Sequence, residues 1–124
     1  MAAKLPERDI EYLEEKGFNY ELVEYPGGLY LIINDFPFPE AYSPRTARTL
    51  IVIPAGYPET GLDMIFTIPD VKLSNGQYPQ SCSAHVTYNS LSWQQWSRHY
   101  IWRSGTDNIR TFITAMKKEL EAGK

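Results

Sequence analysis

Residues 93–103 read Trp93-Gln94-Gln95-Trp96-Ser97-Arg98-His99-Tyr100-Ile101-Trp102-Arg103. They hold all three tryptophans, one of the two histidines, and a serine two residues before that histidine. An indole hides much apolar surface while its N–H still needs a partner, so three of them point to a packing or recognition role. One reading is a packed loop that fixes Ser97, Arg98 and His99. The plainer reading is a core-facing strand or helical turn whose charged residues face water, and composition favours it.

Upstream of this stretch the pattern is that of strands. Tyr20–Glu24 predicts a first strand, and Pro26-Gly27-Gly28 a turn into Leu29–Ile33. Asn34–Arg48 is proline-rich and polar and reads as an open connection. Thr49–Ile53 and Asp63–Thr67 follow as strands three and four, separated by a stiff turn, Pro54–Gly61, with two prolines and two glycines. Short spacing with no helix between favours an antiparallel meander. Ile68–Ser92 shows little periodicity and many turn formers, so it reads as one irregular segment.

Helices are predicted at both ends. Leu5–Lys16 has Pro6 in its first turn, Glu7 and Asp9 at its positive dipole end, and Gly17 to stop it. Its outward face, Glu11, Glu14 and Glu15, is acidic; a partner docking there would be basic. At the other end, Ile109, Phe112, Ile113, Met116 and Leu120 fall on one helical face. Ser104, Thr106 or Asp107 would cap that helix and Gly123 would follow it. The expectation is an α+β fold in a single domain, residues 1–124.

Composition excludes some classes. The chain has 124 residues, 43% of them hydrophobic, enough for a real core. A net charge of −3 argues against nucleic acid, which calls for a basic face. No apolar run reaches bilayer length and no signal-peptide pattern opens the chain, so no membrane role is expected and a cytoplasmic location follows. A lone cysteine, Cys82, excludes an internal disulfide. His85 and His99 with Cys82 or Asp107 match no metal spacing, and no cofactor motif occurs.

Two nucleophiles are available. Cys82, between Ser81 and Ser83, reads as exposed on the irregular segment with His85 as its nearest cation. Ser97 with His99 pairs a hydroxyl with a base, and the two share a side if the backbone is extended.

Taken in order, these elements resemble the ubiquitin-conjugating enzyme (UBC) fold. Gly56-Tyr57-Pro58 resembles that family's tyrosine-proline turn, Met64-Ile65-Phe66 its following strand, and Trp102-Arg103-Ser104-Gly105 its tryptophan-led helix start. GYPETGLDM and WQQWSRHYIWRSGTDNI are similar to a bacterial branch, the prokaryotic UBC-like family E. The resemblance implies an acyl carrier that takes a ubiquitin-like protein from an adenylating, activating enzyme and passes it to an amine on a target protein. The eukaryotic enzymes place a cysteine shortly before the helix-opening tryptophan, after His-Pro-Asn. Here Ser92–Ser97 holds no cysteine and there is no His-Pro-Asn, although His85 falls near where its histidine would be.

Three readings follow, in order of preference. Ser97 carries an oxyester, with His99 or His85 as base and Arg98 or Asn89 stabilising the oxyanion. Or the domain is a non-catalytic adaptor that binds the ubiquitin-like protein or the activating enzyme. Or Cys82 carries a thioester on a loop that swings.

Overall fold

A computed structural model describes residues 5–122. The element order is α1 (Glu7–Glu15), β1 (Tyr20–Tyr25), β2 (Gly28–Pro37), β3 (Tyr42–Ser43), β4 (Thr46–Pro54), β5 (Ile65–Ile68), β6 (Lys72–Leu73), β7 (Ala84–Tyr88), β8 (Leu91–Trp96) and α2 (Ile109–Glu121). Six strands form one sheet in the order β1-β2-β4-β5-β8-β7, and β3 pairs with β6 in a separate ribbon. The pairings are all antiparallel. The fold is α+β. The four expected strands are β1, β2, β4 and β5, a meander of neighbours.

Two expectations about connections are corrected. Residues 34–48 are not an open link. β2 runs on to Pro37 after a register shift between Ile33 and Phe36, and pairs again with the start of β4. The shift lets Phe36 and Phe38 reach the core, where Phe38 stacks on Trp96 at 5.8 Å. Nor is 68–92 irregular throughout. It contains β6, β7 and the start of β8, and Asn89 and Ser90 make the tight hairpin turn with φ of 51° and 64°. Positive φ at both central residues suits a two-residue hairpin loop, which the right-handed strand twist favours.

The sheet separates two apolar clusters. Leu29, Leu31, Ile33, Ile51, Ile53 and Trp96 face the helices, meeting Tyr12 and Leu13 of α1 and Ile109, Phe112, Ile113, Met116 and Leu120 of α2. Tyr30, Ile32, Leu50, Phe66 and Trp93 form a second cluster on the opposite face. Among the described residues, no helix is long and apolar enough to cross a membrane.

Both helices end by local rules. Gly17, at φ 72°, follows the Lys16 cap of α1 and donates to Glu14 O, while Phe18 N–H donates to Leu13 O. That is the reciprocal pair of a glycine-terminated helix, closed by Phe18 against Tyr12. The α2 cap is Asn108, not Ser104, Thr106 or Asp107: its side chain accepts from Thr111 N–H while Thr111 Oγ1 accepts from Asn108 N–H. Asp107 accepts from Arg103 N–H instead. Gly123 lies outside the described residues.

The Tyr57 hydroxyl joins the two helices. It donates to Asp9 Oδ2 at 2.7 Å and accepts from Ile109 N–H at 2.9 Å. Burial pushes the Asp9 carboxyl above its usual range, although the Tyr57 hydrogen bond and nearby Arg8 pull the other way. The folded chain therefore holds the Asp9 proton more tightly than the unfolded chain. This residue's contribution is complete below the ordinary carboxylate pKa and is lost as pH rises through the raised, folded one. In urea titrations from about pH 4 to about pH 8, wild type is expected to lose stability relative to Asp9→Asn as pH rises. A relative gain would reverse the assignment. Tyr57→Phe is expected to cost about 1–3 kcal/mol, since it leaves the buried carboxylate without its hydroxyl donor.

Candidate functional site

The site is organised by β8, which crosses the sheet between β5 and β7. Alternation along a strand sends Gln94 and Trp96 to the helix side, and Trp93 and Gln95 to the other. Gln94 is fully buried, and both ends of its amide are satisfied. Its Oε1 accepts from Thr67 Oγ1 at 2.8 Å and from Val71 N–H at 2.6 Å. Its Nε2 donates to the carbonyls of Val71 and Cys82, both at 2.9 Å. Thr67 Oγ1 also accepts from Trp96 Nε1 at 3.1 Å. This network seats residues 71–82 beneath β8.

Residues 93–96 are thus a core-facing strand, the plainer of the two sequence readings, and the chain leaves regular structure at Ser97. Each indole N–H is satisfied: Trp93 donates to Tyr88 O, Trp96 to Thr67, and Trp102 to Pro58 O. Trp102 seals the tyrosine-proline turn so closely that a Cβ on Gly61 would stand 2.5 Å from its ring.

Ser97 is half-buried at the exit of β8. Its N–H donates to Ser81 O at 2.9 Å, and its Oγ accepts from Gln95 Nε2 at 2.8 Å. His99, two residues on, is 71% exposed and sets Nδ1 2.6 Å from Asp63 Oδ1. Among the described residues, His99 Nε2 has no hydrogen-bond partner and neither histidine bonds Ser97. A carboxylate on Nδ1 fixes the imidazole tautomer and leaves Nε2 as the basic nitrogen, the arrangement a general base needs.

Arg98, expected as an oxyanion donor, has its guanidinium engaged by other partners. Its NH1 pairs with Glu119 Oε1 of α2 at 2.8 Å, and its Nε and NH2 reach Gln80 O at 3.3 and 3.2 Å. It also lies over the Trp96 ring. The guanidinium ties the exit of β8 to α2. Asn89 sits in the β7–β8 turn, at the far end of β8 from Ser97 and about 20 Å along the strand, so it is not part of this site.

Cys82 is not on an exposed loop. It is 0% exposed and its thiol donates to Gln80 O at 3.2 Å. Burial pushes the thiol up to about 11, with Arg98 opposing and Glu119 adding. His85 lies on β7, where its Nε2 meets both oxygens of Asp70 at 2.9 and 3.0 Å and Tyr78 OH donates to Asp70. Although burial acts in the other direction, the hydrogen bonds from Tyr78 and His85 hold the Asp70 carboxyl below its usual range. His85 belongs to this separate cluster, on the strand beyond β8.

A comparison with protein-family models matches residues 5–123 to prokaryotic E2 family E. The chain belongs to this family. No curated protein and no solved structure gives a significant match. Five residues of the geometry were not expected from the sequence: Asp63, Gln94, Gln95, Asp70 and Glu119. Asp63 and Glu119 meet partners 36 and 21 residues away, and no local pattern marks such pairs.

Proposed function

We propose that this family E2 chain is a UBC-type acyl carrier that takes the activated C-terminus of a ubiquitin-like protein from its activating enzyme as an oxyester on Ser97. The observation that carries this reading is the Asp63–His99 pair, two residues along the chain from Ser97, with Nε2 of His99 unbonded among the described residues. Helix, antiparallel meander and closing helix in this order also support the UBC comparison. An unassisted serine is a poor nucleophile at neutral pH, so a hydroxyl carrier requires such a base.

In the first step Ser97 Oγ attacks the activated carbonyl carbon and His99 Nε2 takes the hydroxyl proton. The bond to the activating enzyme's leaving group breaks, and the imidazolium returns the proton to that group. In the second step an amine of the target attacks the oxyester carbon and gives up a proton to His99 Nε2, the bond from that carbon to Ser97 Oγ breaks, and the imidazolium returns the proton to Oγ. Gln95 Nε2, already donating to Ser97 Oγ, stabilises the charge that this oxygen carries as it leaves in the second step. Catalytic hydrogen bonds are often long in unliganded structures and tighten with substrate bound.

A second reading, the non-catalytic adaptor, is favoured by one observation: Ser97 and His99 are not hydrogen-bonded to each other. Intact-protein mass spectrometry separates the two after incubation with ATP, the cognate activating enzyme and its ubiquitin-like protein. The carrier predicts an adduct that survives thiol, is cleaved by hydroxylamine and is absent in Ser97→Ala. His99→Gln is expected to slow its formation by about 10²–10⁴-fold. Binding with no adduct in wild type would establish the adaptor. An adduct lost only in Cys82→Ala and released by thiol would transfer the role to the cysteine.

A further inference from the structure

Two rows of unpaired charge lie side by side along the α1–α2 seam. Glu7, Glu11, Glu14 and Glu15 form the exposed acidic face of α1. Arg110, Lys117 and Lys118 of α2 run beside it, and Lys16, the C-cap of α1, joins them at one shared depression. Among the described residues, none of these eight takes part in an ion pair. Arg110 marks the boundary. It shares a depression of about 160 Å³ with Glu11 and Glu15, and a neighbouring one of about 300 Å³ with Lys16, Lys117, Lys118 and Glu121.

A cleft of about 480 Å³ continues the basic side, with Tyr100, Trp102, Phe112 and Ala115 among its walls and Arg103, Arg110 and Lys118 on its rim. At its edge Ile101 is 87% exposed, far beyond the other large exposed hydrophobics, Leu22 and Leu91 at 37% each. Ile101 is continuous with the apolar walls of the cleft, and a continuous exposed apolar patch, unlike a single side chain, points to a contact surface.

We propose that this surface is the interface of a two-fold homodimer. The acidic row of one copy faces the basic row of its partner, and the reverse holds across the axis. The complement to each row is present on the same chain and directly adjacent, with Arg8 set among the acidic residues and Glu121 among the basic ones. A two-fold axis over the seam satisfies both rows at once, whereas a head-to-tail contact would leave one of each open and grow into a filament. Ile101 and the cleft supply the apolar part of the contact. The inference does not depend on Ser97. Dimerisation covers the α1 face, so a basic partner docking on α1 would compete with it.

Sedimentation velocity of the full chain tests the proposal. Wild type at up to about 500 μM in about 50 mM salt is expected to show a monomer–dimer equilibrium. The dissociation constant should weaken by about tenfold or more at about 500 mM salt, where the screening length shrinks to a few ångströms. Glu11→Lys/Glu15→Lys and Lys16→Glu/Lys118→Glu reverse one row each at exposed positions. Each variant alone should be monomeric, with wild-type circular dichroism, and an equimolar mixture of the two should regain the dimer. Ile101→Asp should weaken association at both salt concentrations. A wild-type chain that stays monomeric under all these conditions overturns the proposal, and leaves the basic row to an acidic partner or a polyanion. A dimer that survives both reversals places the interface elsewhere and overturns it equally.

Discussion

Gln94→Leu is expected to lower the unfolding free energy by about 4 kcal/mol, read as a fall in the urea midpoint at unchanged slope. The substitution keeps a side chain of similar bulk, one bond shorter, and adds apolar surface, so hydrophobic burial alone predicts little change. Hydrogen bonding decides the outcome. Leucine strips partners from Val71 N–H, Val71 O, Cys82 O and the Thr67 hydroxyl, in a place water does not reach. Each orphaned buried group costs about 1–3 kcal/mol, and the sum is reduced by local relaxation and by the transfer energy of the leucine. A domain of this size has about 5–15 kcal/mol in total, so the loss is a large share. Thr67→Val should cost less, about 1–2 kcal/mol, because Gln94 keeps its three backbone bonds while Trp96 Nε1 loses its acceptor. A loss below about 1 kcal/mol for Gln94→Leu would mean that residues 71–82 are held by packing rather than by this amide. Because the same amide fixes the strand that delivers Ser97, a weakened variant should also load more slowly in the mass-spectrometric assay.

The same glutamine explains why the centre of the fold was hard to read in the sequence. The four meander strands are legible because they follow the period of two or form continuous apolar runs, as in Leu29–Ile33. α2 is legible because its five apolar residues share one face. β8 breaks the rule: Trp93, Gln94 and Trp96 are all buried, on different faces, and a buried amide looks like a surface residue until its partners are known. β7 escapes notice because it is an edge strand, with Ala84, His85 and Thr87 exposed, so little apolar alternation remains. The β7–β8 turn is Asn-Ser rather than Asn-Gly, which removes the usual hairpin signal.

The site divides in the same way. Ser97 and His99 lie two residues apart, so a pattern finds them. Asp63, which orients the imidazole, lies on the approach to β5 and joins them only through the β5–β8 pairing. Arg98 stands between them in the chain but is tied to Glu119 of α2, after a tight turn at Ser97 in which Arg98 N–H donates to Trp96 O. The sequence suggested an exposed Cys82 because serines flank it; the Gln94 amide instead draws the Cys82 backbone inward and takes its thiol out of solvent.

Cys82 is expected to react with iodoacetamide at about pH 8 at least about 100-fold more slowly in the native protein than in the urea-unfolded chain. Ionisation accounts for that factor. A thiol pushed up to about 11 is about 0.1% thiolate at that pH, against tens of per cent for an ordinary cysteine. Complete burial slows the reaction further. The native rate should rise about tenfold per pH unit and level off near the raised pKa, unless the fold opens first. The fold favours the protonated thiol, so this residue's contribution to stability is complete below the ordinary thiol pKa and is lost as pH rises through about 11. Cys82→Ala should then cost only about 1–2 kcal/mol for the space it vacates, and leave adduct formation intact. Native labelling as fast as that of the unfolded chain would mean that residues 80–84 open freely, and would bring the thioester route back into contention. Slow labelling together with a Ser97-dependent, hydroxylamine-sensitive adduct would assign the acyl group to the hydroxyl, the one of the two nucleophiles that the fold does not bury completely.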